Sequence, residues 1–166
     1  MAAQIYYFDG SDAAATDPDA NWSSDANAFD GDITTFATPT LVGDTTTKYL
    51  MAEGTNAPST GPAIGEVWAR MFGNSNVDSS VSTATIYTDG LAENLGSCIN
   101  STSAATYGSY VVLTAPSGGW TWAKIQSLEV KIAFTTDNGV NKAISRVEIK
   151  VNPSAATTIY TVQGFQ

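Results

Sequence analysis

Two seven-residue runs in the C-terminal half of the chain alternate strictly between apolar and polar side chains. In Ser145-Arg146-Val147-Glu148-Ile149-Lys150-Val151, three aliphatic residues fall on one side and three charges on the other. In Leu128-Glu129-Val130-Lys131-Ile132-Ala133-Phe134, Leu128, Val130, Ile132 and Phe134 share a side. A period of two belongs to an extended chain with one buried face, whereas a helix repeats its apolar positions every three or four residues. The same pattern predicts further strands over residues 4–8, 48–52, 65–71, 81–88, 109–114 and 157–162, each bounded by Gly, Pro, Asn, Asp or Ser. Eight strands separated by turn residues predict an all-β, two-sheet jelly-roll sandwich. Helical character is limited to a turn near residues 91–95.

A chain of 166 residues fills one core more readily than two, so a single domain over 1–166 is expected. Residues 12–25 are rich in Ala, Asp and Ser and read as a long loop, or as part of an N-terminal arm over 1–25. Asn152-Pro153-Ser154 breaks the last charged strand. The apolar segment after it makes 153–166 either an edge strand or a tail that docks on a neighbour.

Charge and composition exclude several functions. The net charge is −9, and Asp9, Asp12, Asp17, Asp19, Asp25, Asp30, Asp32 and Asp44 all precede the first basic residue, Lys48. Such a chain repels a phosphate backbone, which argues against nucleic acid as a partner. No run approaches the ~20 apolar residues of a spanning helix, so membrane insertion is not expected. The N-terminal residues lack the basic and apolar regions of a signal peptide. With no histidine and a single cysteine, Cys98, the chain lacks the commonest general base and any thiolate zinc cage. No catalytic residue is assigned, and the chain is expected not to be an enzyme. Two carboxylates could still serve a glycosidase if the fold brought them together.

The most specific local pattern is Asp25-Ala26-Asn27-Ala28-Phe29-Asp30-Gly31-Asp32-Ile33-Thr34-Thr35-Phe36. Two aspartates around a glycine, followed by threonines, can converge oxygen ligands on a hard cation. The same residues can equally build a turn in which the carboxylates accept backbone N–H bonds. Residues 27–36 resemble the Ala-Phe-Asp-Gly-Asp loop of discoidin-like, galactose-binding domains. The resemblance implies a structural calcium ion held by Asp30, Asp32 and Thr35, with Glu148 as the late acidic ligand. Phe36 stands near a position where that family more often has tryptophan.

Trp120 and Trp122 lie two apart and would share a face if residues 119–123 were extended. Such a pair can stack a sugar, as in carbohydrate-binding modules, or pack in a core or subunit interface. Core packing is the expectation for Trp22 and Trp68, and Cys98 reads as a small, half-buried filler. The succession of Asn21-Trp22-Ser23, the acidic loop, residues 52–56, residues 84–91 and Gly119-Trp120-Thr121-Trp122-Ala123-Lys124 is similar to small jelly-roll modules of bacteriophage virions. That resemblance implies a structural protein on the virion surface, in capsid decoration or a tail fibre. It would pack against copies of itself and other virion proteins and could also adhere to the host surface. The alternative is a carbohydrate-binding module or adhesin that reads a cell-surface glycan. Both place the protein on the virion surface or otherwise outside the cell.

Overall fold

The structure is a computed structural model that describes residues 2–16, 22–39, 47–75, 82–101, 105–135 and 142–155. Its strands are β1 (Gln4–Thr16), β2 (Trp22–Ser23), β3 (Thr38–Pro39), β4 (Thr47–Thr55), β5 (Ile64–Ser75), β6 (Thr83–Tyr87), β7 (Asn94–Ile99), β8 (Thr106–Tyr107), β9 (Val111–Val112), β10 (Glu129–Thr135) and β11 (Lys142–Pro153). One short helix, α1 (Trp122–Gln126), precedes β10.

Among the described residues every pairing is antiparallel, and the strand order is that of a jelly roll. The first sheet runs β1-β11-β5, with β8 and β9 both pairing with the far side of β5. The second runs β1-β4-β10-β6-β7. β1 belongs to both: Gln4 to Tyr7 pair with β11, and from Phe8 onward the strand pairs with β4 through two register shifts. Gly10, at φ 64°, lies at that crossing, where a strand changes sheets by a local irregularity.

The alternation in the sequence becomes the core. Val147, Ile149 and Val151 of β11 meet Met71, Ala69 and Val67 of β5, and all six are buried. From the other sheet Leu50, Ala84, Ile86, Val130 and Ile132 face them, also buried. The buried apolar residues form one cluster that includes Phe8, Trp22, Leu128 and Cys98. Cys98 is fully buried, not half-buried, and loss of water pushes its thiol up to about 12.

Three expectations change. Residues 12–16, read as loop or arm, continue β1. The turn expected near 91–95 is a single 3-10 turn at Asp89–Leu91, and the chain then enters β7. The charged side of β11, which alternation sets opposite the core, does not face open solvent at Glu148, which is buried. The strand expected over 157–162 and most of the proposed tail lie outside the described residues. Among the described residues, no helix is long and apolar enough to cross a membrane.

Candidate functional site

The antiparallel register places a second layer of side chains on the outward face of the first sheet. Since Val67, Ala69 and Met71 point inward, Glu66, Trp68, Arg70 and Phe72 of β5 must point outward. Pairing then brings Arg146 beside Phe72, Glu148 beside Arg70 and Tyr7, and Lys150 beside Trp68 and Ile5. Tyr107 pairs with Phe72 and Val112 with Trp68. Between β8 and β9 the chain leaves the ladder, and Tyr110 lies against Arg70 there.

Glu148 is the hub. Its Oε2 accepts from Arg70 Nε at 2.7 Å and from the Tyr110 hydroxyl at 3.4 Å. Its Oε1 accepts from Arg146 and from the Tyr107 hydroxyl. Burial alone would raise its carboxyl, but hydrogen bonds from Tyr107, Arg70 and Arg146 and the charge of Arg146 outweigh burial and hold it below the ordinary value. The Arg70 guanidinium lies 3.6 Å from the centre of the Tyr107 ring and 4.3 Å from that of Tyr110. Burial, together with a hydrogen bond and charge from Glu148, pushes the Tyr107 hydroxyl up to about 12.

The acidic loop closes one end of this face. A bulge in β11 between Ile144 and Arg146 turns Ser145 toward it, and Ser145 Oγ donates to the Asp32 carbonyl at 2.7 Å. Arg146 Nη1 donates to the Gly31 carbonyl at 2.8 Å. Gly31, at φ 76°, packs on Tyr7, and a Cβ there would fall 2.5 Å from the ring. Phe36, Phe72 and Tyr107 complete this end, with ring centres 6.4 and 4.9 Å apart in turn.

Asp30, Asp32 and Thr35 are brought together as a turn. Asp30 Oδ1 accepts from Asp32 N at 2.8 Å, and its Oδ2 from the Thr35 hydroxyl at 2.7 Å. Asp32 Oδ1 accepts both the amide and the hydroxyl of Thr34, which lowers its carboxyl. Glu148 does not join them, because its oxygens are committed to the two arginines and two tyrosines. Among the described residues, no three acidic, histidine or cysteine side chains are placed to share a metal ion. As arranged, this set does not fit a calcium ion, since a guanidinium already holds the Gly31 carbonyl and Glu148 together.

Trp120 and Trp122 do not share a strand face. Thr121 accepts the Lys124 amide at 3.2 Å and starts α1, so the chain turns where an extended segment was expected. Trp122 is buried, its Nε1 donates to the Pro62 carbonyl at 2.8 Å, and its ring meets Tyr6 edge-on at 5.8 Å. Trp120 lies at the margin of the core. Trp22 is buried as expected, but Trp68 is on the outer face and half-buried, its Nε1 reaching Glu66 at 3.4 Å. The alternation Glu66-Val67-Trp68-Ala69-Arg70-Met71 carried that signal.

No protein-family model matches the sequence, and no curated protein matches it. Two solved structures are similar in shape. One is the CBM36-1 domain of a multidomain xylanase from the hindgut metagenome of Trinervitermes trinervoides. It has 15% identity over 93% of this chain and 100% of that one, with a TM-score of 0.48. The other is the enzymatically active domain of tailspike protein 4 of bacteriophage CBA120, with 9% identity over 88% of this chain and 19% of that one and a TM-score of 0.45.

Proposed function

We propose that this protein is a non-catalytic binding module, displayed outside the cell or on a particle surface, that holds a saccharide on the outward face of its first sheet. The observation that carries this reading is the row Ile5, Lys150, Trp68 and Val112, which crosses four strands at the open end of the face. Ile5 is 53% and Val112 50% exposed, so the row is accessible from solvent. Sugars present apolar C–H faces edged by hydroxyls, and an indole beside a cation and a phenol matches both parts. The network beneath is already bonded, so the site is rigid before a ligand arrives. Glu148, held ionised between two arginines, is poorly suited to donate a proton at this face.

Trp68→Ala tests this reading. The variant is expected to keep its melting temperature within a few degrees and to lose retardation in polysaccharide-containing native gels that slow the wild type. Equal retardation of both proteins would exclude Trp68 from the site.

A second reading, packing into a virion surface lattice, is supported by the exposed apolar residues Ile99 and Val111, which line a depression of about 460 Å3. Light scattering separates the two: defined oligomers or particles support packing, and a monomer that binds glycan supports the first reading.

A further inference from the structure

The outward face of the first sheet is locally cationic in a strongly acidic protein. Arg70, Arg146 and Lys150, three of the chain's seven basic residues, lie on it. Glu148 serves Arg70 and Arg146 together. Lys150 makes no ion pair or hydrogen bond to a described residue. Its ammonium lies 5.0 Å from the centre of the Tyr110 ring and 5.6 Å from that of Trp68. Glu66, the nearest acidic residue along β5, is turned to the Trp68 indole.

We propose that this end of the face selects carboxylated sugars, with the sugar ring stacked on Trp68 and its carboxylate paired with Lys150. The proposal rests on the saccharide-binding reading above and adds the ligand class. An ammonium with two aromatic neighbours still has donors to offer, and a neutral sugar covering it would strip its water without returning a charge. A carboxylate returns that charge and leaves the Glu148 network intact. The row spans three inter-strand spacings, roughly 14 Å, which accommodates a short oligosaccharide and not only one ring. The acidic turn at Asp30 and Asp32 closes the Arg146 end, where a polyanion would be repelled. The ligand's charge is therefore directed to the Lys150 end.

The test is isothermal titration of the full chain with oligogalacturonate, its methyl ester of the same length, and sialyllactose as a second source of a sugar carboxylate. Lys150→Gln and Trp68→Ala are titrated in parallel, with melting curves to confirm folding. The acid is expected to bind about tenfold or more tightly than its ester, equivalent to about 1.4 kcal/mol. Lys150→Gln should erase that difference, and Trp68→Ala should abolish binding of both. Preference for sialyllactose over oligogalacturonate, lost in Lys150→Gln, would support the same carboxylate selection with a sialoside as its source. Equal binding of acid and ester would overturn the selectivity while leaving a saccharide site at Trp68. No heat with any sugar would overturn both. Tighter binding of a single-stranded DNA oligonucleotide than of any uronate would assign the cationic row to phosphate and overturn the proposal.

Discussion

Glu148 and Glu129 occupy equivalent places on the two sheets. Each lies on a central strand, each belongs to the outward side of the alternation, and each is buried, at 1% and 3% exposure. Their surroundings differ. Glu148 has two guanidiniums and two phenols, and its carboxyl is held below the ordinary value. Glu129 is covered by the turn at Asp89–Leu91 and accepts from the Gly90 amide. It pairs across the sheet with Glu53, and burial, aided by repulsion from Glu53 and Asp89, raises its carboxyl. Burial penalises both charges. Whether the chain brings cations to a buried carboxylate decides whether it acts as a structural hub or a liability.

The largest expected effect comes from removing the hub. Glu148→Ala leaves Arg70 and Arg146 facing each other without their shared counter-charge and should cost about 3 kcal/mol, read from urea unfolding. A loss below about 1 kcal/mol would mean that water replaces the carboxylate and that the network contributes little.

The two residues also differ in the sign of their pH dependence. Glu148, lowered in the folded state, contributes stability above its unfolded value of about 4.5, and that contribution is lost as pH falls through its folded value. Glu129, raised in the folded state, favours folding below about 4.5 and loses that advantage as pH rises through its folded value. Glu148→Gln should therefore weaken the acid limb of the stability profile. Glu129→Gln should flatten the shoulder above it and gain about 1 kcal/mol or less at neutral pH. Stability changes of the same sign in both variants would break the comparison.

The frame of the fold was legible because alternation in β10 and β11 is strict and both strands are central. β7 was not, because Leu95 and Cys98 are three apart where period two requires an even spacing, and Gly96, at φ 138°, absorbs the irregularity. The site was half legible. Alternation put Arg146, Glu148 and Lys150 on one side of β11, but their cover comes from Arg70, Tyr107 and Tyr110, 38 to 78 residues away from Glu148 in sequence. A one-dimensional pattern distinguishes core side from other side. It does not show what a distant strand lays over the other side. The Trp120 and Trp122 pair shows the reverse hazard: a spacing of two puts side chains on one face only in an extended chain, and Thr121 caps a helix there.

The smallest expected effect is that of calcium, and it probes whether the partners of Glu148 can be exchanged for an ion. A structural ion bound by the folded state alone would add about 2.7 kcal/mol at a hundred times its dissociation constant, a shift of several degrees in Tm. The oxygens that would coordinate it already accept hydrogen bonds that hold the turn in its present shape. Asp30 and Asp32 accept from the turn, the Gly31 and Asp32 carbonyls accept from Arg146 and Ser145, and Glu148 accepts from four donors. A dication at this loop would also face the Arg146 guanidinium. Melting curves in millimolar calcium and in chelator should therefore coincide. A rise in Tm with calcium would mean that the Asp30 turn reopens and that Arg146 gives way. Glu148 would then be a ligand in waiting, and its contrast with Glu129 would lie in what each can bind and not in what each already holds.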